Sequence, residues 1–141
     1  GMVRDYPWTG VGLNAFMANY LDYWVGGERM PRYAHNCYLQ TAAELGIPGL
    51  LAFLWVLGAL LMSWWRRLGE RVPEADRVLL IGLAAGALAF LVQSAVDTNF
   101  YALRQVVLFW VVAGLATGLS LSGATSQERS PAATLVTAGL S

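Results

Sequence analysis

His35 is the residue in this chain best suited to moving a proton near neutral pH, and it is the sequence's one histidine. A carboxylate that orients an imidazole makes it a better acid–base group. Glu44 and Asp97 are the acidic residues that we expect to support His35 in this way. A histidine in an arbitrary context more often forms a structural hydrogen bond, so the pattern alone leaves both interpretations open.

Arginine side chains are the natural partners for phosphate oxygens, because the planar guanidinium group can donate two hydrogen bonds at once. Arg29, Arg32 and Arg104 are the candidates for binding an anion near His35. Arg104 also fits the role of a membrane anchor at a helix end. The sequence shows no carboxylate cluster of the kind that binds Mg²⁺, so we expect a reaction without metal or cofactor.

The composition indicates a membrane protein. Hydrophobic residues make up 57% of the chain and charged residues 13%, against about 45–50% and about 25% in soluble domains. The formal net charge is zero. A neutral chain lacks the basic surface typical of nucleic-acid-binding proteins, so we expect no nucleic-acid partner.

Three uncharged or nearly uncharged apolar runs must position the candidate residues. They cover residues 47–65, 78–96 and 101–121. Each is long enough to cross roughly 30 Å of hydrocarbon as a helix. The sequence therefore predicts an all-α polytopic membrane protein with three transmembrane helices between residues 47 and 121.

The loops predict the orientation of these helices. The connection at residues 66–77 contains four arginines, which favours a cytoplasmic location: Arg66, Arg67, Arg71 and Arg77. Residues 1–46 then lie outside, and the polar tail at 122–141 lies inside and is predicted to be disordered. No signal peptide is recognisable, so we expect a fragment that follows earlier transmembrane helices.

The outer segment, residues 1–46, has the aromatic and glycine content of a folded cap. We expect a short helix at residues 14–23 and a second one that begins at His35 or Asn36 and runs to Leu45. Gly46 would end the second helix in a left-handed conformation, and Pro48 would begin the first membrane span. The second helix would carry a polar stripe of residues spaced four apart: Asn36, Gln40 and Glu44.

Two blocks of this cap resemble the O-antigen ligase and polymerase superfamily. Residues 35–49, HNCYLQTAAELGIPG, fit its pattern of histidine, then Asn, Ser or Gln, nine residues, glycine, two residues and glycine. The fixed positions are His35, Asn36, Gly46 and Gly49. Residues 7–16, PWTGVGLNAF, resemble the family's P-x-x-G-x-G-x-x-x-F phrase. With the helices that follow, the resemblance extends from about residue 2 to 121.

The resemblance implies a membrane glycosyltransferase, here the carboxy-terminal part of a larger GT-C-like helix bundle. Its members transfer a glycan from an undecaprenyl diphosphate carrier to lipid A core, a growing glycan or a protein. The reaction occurs on the periplasmic face of the bacterial inner membrane. The resemblance implies that His35 is the general base for the acceptor hydroxyl or at least positions it, and that Asn36 holds the local turn or the histidine. Arginines such as Arg29 and Arg32 would bind the diphosphate.

Two alternatives remain beside a ligase. One is an O-antigen or exopolysaccharide polymerase of the same superfamily. The other is a non-catalytic transporter or scaffold fragment, in which His35 is structural. Membrane lipids are expected partners of the chain in each case.

The predicted orientation can be tested by cysteine labelling in spheroplasts. A cysteine introduced by Glu74→Cys, in the 66–77 connection, should react with a membrane-impermeant maleimide only after the membrane is permeabilised. Thr9→Cys, in the outer cap, should react in intact spheroplasts. Labelling of Glu74→Cys from the outside would overturn the orientation.

Overall fold

The regular elements of this computed structural model are all helical. It describes residues 1–24, 26 and 34–138, with side chains described as far as Leu121. The α-helices are α1 (Met2–Asp5), α2 (Phe16–Tyr20), α3 (Cys37–Leu68), α4 (Glu74–Gln93) and α5 (Leu103–Ala138), and short 3₁₀ turns cover Leu21–Tyr23 and Asn99–Tyr101. The predicted all-α class is confirmed.

Three helices are long and apolar enough to cross a membrane: α3, α4 and the Leu103–Leu121 part of α5. Only 11–17% of the most apolar stretch of each is buried. Most of these side chains therefore face outwards, as lipid-facing residues do. The observed helices differ from the predicted runs at their ends, because α3 begins ten residues before 47 and the 3₁₀ turn Asn99–Tyr101 delays the start of α5.

The backbone after Leu121 continues as helix to Ala138, where the composition predicts a disordered tail. Residues 139–141 of that tail lie outside the described residues. The segment from 122 to 130 mixes weak helix formers with four strong ones, which are Ala124, Gln127, Glu128 and Arg129, and its one glycine is Gly123. Helix α5 can therefore propagate beyond its apolar part.

Helix α3 joins the predicted cap helix to the first membrane span through a break at Gly46. That glycine has φ 72° and ψ −178°, so the predicted positive φ is confirmed, with an extended ψ in place of the left-handed one. Such a combination is accessible essentially to glycine alone. Pro48 follows within the first turn after the break, where a missing N–H costs little.

The cap backbone supplies the hydrogen bonds that this break removes from the helix. Val11 N donates to the carbonyl of Ala43 at 2.9 Å, and Gly12 N donates to the carbonyl of Glu44 at 3.0 Å. Ile47 N, beyond the break, donates to the carbonyl of Pro7 at 2.7 Å. The segment at residues 7–12 therefore lies directly against the break.

The three long helices pack around an apolar core. At the end of this core nearest the cap, Phe100, from the connection between α4 and α5, contacts rings of all three helices at 5.0 Å between centroids: Phe53, Phe90 and Phe109. Lower in the bundle, the Trp64 indole donates to Thr117 Oγ1 at 3.1 Å. Edge-to-face aromatic pairs add to the free energy of burial, so Phe100 fixes the connection onto the helix ends.

A substitution at Gly46 tests the structure of the break. A Cβ there would lie 2.7 Å from the carbonyl carbon of Trp8. We expect Gly46→Ala to cost at least about 1–3 kcal/mol from backbone strain alone, seen as a lower thermal unfolding midpoint in detergent. Gly58→Ala is the matched control, because no heavy atom lies within 4 Å of its added Cβ. Equal midpoints for the two variants would contradict this account of the break.

Candidate functional site

The beginning of α3 and the connection between α4 and α5 meet at one end of the molecule. Asn36 is the N-cap of α3: its Oδ1 accepts from Leu39 N at 2.9 Å, and its Nδ2 donates to the carbonyl of Ala95 at 2.8 Å. The next residue, Cys37, donates its N–H to the carbonyl of Ser94 at 2.9 Å. One asparagine thus caps the helix and attaches it to the neighbouring connection.

His35 lies at the exposed tip of this junction. Its backbone has φ 48°, a positive value that is uncommon for residues with a side chain, although histidine adopts it more readily than most. Within the described residues, the His35 side chain forms no hydrogen bond or ion pair. His35 is exposed, and hydrogen bonds hold the backbone on both of its sides, at Ala34 and Cys37.

Glu44 is fully buried, with 0% of its surface exposed. Its carboxylate accepts from Asn14 N at 2.8 Å and from Phe16 N at 3.3 Å. It also accepts from Gln40 Nε2 at 3.3 Å and from the Tyr101 hydroxyl at 3.1 Å. We call this set of groups the Glu44 network. Its four donors compensate a carboxylate whose burial would otherwise be costly.

Tyr101 enters the network from the 3₁₀ turn that precedes α5. Burial is the main cause that raises the pKa of the Tyr101 hydroxyl, and the nearby Glu44 charge raises it further. The hydroxyl therefore stays protonated and remains a donor well into the alkaline range. The partnership of Tyr101 with Glu44 was not predicted from the sequence.

The other predicted site residues occupy different positions. The Asp97 side chain accepts from Thr98 N at 2.7 Å, and Arg104 is exposed at the first turn of α5. Both are at the same end of the molecule as His35. In the described part of the chain, neither they nor Glu44 hydrogen-bond to the imidazole. Arg29 and Arg32 lie outside the described residues.

Cys37 and Gln40 are site components that sequence patterns did not identify as such. Cys37 is completely buried; its thiol donates to the carbonyl of Asp97 at 3.2 Å and accepts from Phe100 N at 3.3 Å. Gln40 Oε1 accepts a long hydrogen bond, 3.5 Å, from Ala34 N. The spacing of Gln40 and Glu44 on one helix face was the available signal, but its meaning depends on the partners.

An apolar hollow of about 460 Å³ adjoins the site between the cap and α3. Ala34, next to His35, forms part of its wall, and Arg4 also lines it. The remaining lining is mostly apolar and aromatic, and includes Met2, Phe16, Tyr20, Tyr23, Leu39 and Ala43. Its surface suits the apolar part of a ligand whose polar part reaches His35.

Comparison with known proteins gives one family match, over part of the chain. The model of the O-antigen ligase family matches residues 1–54, which comprise the cap, the His35 turn and the first half of α3. No curated protein and no solved structure matches the chain. The matched region contains both sequence blocks that meet at the Gly46 break.

The cap at Asn36 generates a stability prediction. Asn36→Ala removes the acceptor for Leu39 N and the donor to Ala95, and loss of an N-cap costs about 0.5–2 kcal/mol. Asn36→Ser keeps a capping oxygen and should lose less. Thermal unfolding of both purified variants in detergent measures the difference. An Asn36→Ala midpoint equal to that of the unsubstituted protein would refute the capping role.

Proposed function

We propose, on the premise that the chain belongs to the O-antigen ligase-like superfamily, that it transfers a glycan from an undecaprenyl diphosphate carrier to an acceptor hydroxyl. The acceptor would be lipid A core, a growing polysaccharide or a protein. The observation that carries the proposal is the exposed His35, held on a capped turn inside the family-matched region.

The proposed chemistry is a displacement at the anomeric carbon of the donor sugar. The acceptor oxygen forms a bond to that carbon, and the bond between the carbon and the carrier's diphosphate breaks. His35 takes the proton of the acceptor hydroxyl as general base. The electron pair of the broken bond leaves on the diphosphate, which is already a good leaving group, and no metal or cofactor is required by this scheme.

Arginines would stabilise the negative charge that develops on the departing diphosphate. Arg104 supports this role by its exposed position at the same end of the molecule as His35. Arg29 and Arg32 support it by proximity along the chain. His35 follows Arg32 by three positions, and the Cα atoms of residues three positions apart are at most about 11 Å apart in an extended chain.

The charge of the connections supports a periplasmic site in the bacterial inner membrane. Arginines concentrate in the 66–77 connection, at the opposite end of α3 from His35, and positive residues favour the cytoplasm. With that connection inside, the His35 turn faces the periplasm. Lipid-linked glycans would then be presented to it from the outer leaflet.

The decisive experiment substitutes His35 in the intact protein. We expect His35→Ala to lower glycan transfer by about 10²–10⁴-fold, the usual contribution of a general base, with unchanged protein levels in the membrane. The measurement is product formed from a purified lipid-linked donor by membranes of a strain lacking the native gene.

Gln93→Ala is the control, because Gln93 is exposed at the same end of the molecule and has no proposed role.

Supplying either lipid A core or a second lipid-linked glycan as acceptor separates a ligase from a polymerase. Normal transfer by His35→Ala with both acceptors would refute the proposed function.

A further inference from the structure

Resting on the proposed function, we infer that the Glu44 network positions the catalytic turn, with Tyr101 as the positioning residue that attaches it to the connection between α4 and α5. Tyr101 touches neither the substrate nor the imidazole in this assignment. It acts on the reaction through the placement of His35.

The first step of the argument is the burial and connectivity of Glu44. A side chain with 0% exposure whose carboxylate only accepts hydrogen bonds requires its donors to stay in place. The donors come from three separate parts of the chain: the cap, α3 itself and the turn before α5. Displacement of any one part leaves the buried Glu44 carboxylate with too few hydrogen-bond donors.

The second step is the route from this network to His35. On one side, Gln40 donates to Glu44 and accepts from Ala34 N, the residue before His35. On the other side, Asn36 donates to Ala95, in the same connection that carries Tyr101. The His35 turn thus lies between two attachments, and the Tyr101–Glu44 hydrogen bond fixes their relative position.

The third step separates positioning from simple stabilisation. Tyr38 is a matched control for Tyr101. Its hydroxyl also connects α3 to a neighbouring element, because it donates to the carbonyl of Leu91 in α4 at 2.7 Å. That bond lies outside the Glu44 network. Tyr38→Phe and Tyr101→Phe therefore remove equivalent groups, and only the second disturbs the route to His35.

The experiment measures kcat and KM for the lipid-linked donor in the intact protein, per folded molecule. We expect Tyr101→Phe to lower kcat by about 10–100-fold, as small misplacements of reacting groups do, and to change KM by less than about threefold. Tyr38→Phe should retain the kcat of the unsubstituted protein. Equal kcat values for the two tyrosine variants would overturn the inference.

A double variant tests whether Tyr101 acts through His35. In a His35→Ala background, Tyr101→Phe should produce no further loss of the residual rate, because the group it positions is absent. A further loss as large as in the unsubstituted background would overturn the inference and leave the proposed function intact. A normal rate for His35→Ala alone would instead refute the proposed function.

Glu44→Gln is a second variant of the same network. Its amide keeps one acceptor oxygen and loses the other, so it should lower kcat in the same direction as Tyr101→Phe. Should Glu44→Gln fail to fold, the tyrosine pair still decides the outcome.

Discussion

The buried carboxylate of Glu44 is the interaction on which the arrangement of this end of the molecule depends. A buried carboxylate without partners is strongly unfavourable, and this one obtains its donors from the cap, from its own helix and from Tyr101. These three parts of the chain are distant in sequence, so their assembly is cooperative. The His35 turn lies at the exposed edge of the resulting unit. Backbone and side-chain hydrogen bonds hold the turn, and within the described residues the imidazole ring itself forms none.

The break at Gly46 adds a second constraint that links the two sequence blocks. Opening the helix leaves the carbonyls of Ala43 and Glu44 and the N–H of Ile47 without helical partners, and cap residues supply all three. Both Gly10 and Gly46 are needed where the two blocks meet, because a Cβ on either would collide with the backbone of the other block. Unsatisfied backbone groups are especially costly near hydrocarbon. The family match over residues 1–54 spans both blocks, and their contact gives a physical reason for their occurrence together.

Local patterns predicted the three apolar spans, a cap helix beginning at His35 or Asn36 and the positive φ of Gly46, because each depends on neighbouring residues. The partners of Glu44 could not be predicted in this way, since Asn14 and Tyr101 lie 30 and 57 residues away along the chain. The expected support of His35 by Glu44 and Asp97 rested on proximity alone, and in the structure both carboxylates hydrogen-bond to other groups. The insertion of Phe100 between the helix ends likewise depends on tertiary packing.

These constraints hold His35, the base in the proposed reaction, on an exposed turn beside an apolar hollow. The most direct test of this account is an experimental structure of the intact protein with a lipid-linked diphosphate sugar and an acceptor bound. The account predicts the acceptor hydroxyl within about 2.6–3.2 Å of an imidazole nitrogen of His35, with the diphosphate beside arginines at the same end. A donor bound instead at the end formed by residues 66–77, with its sugar far from His35, would contradict it.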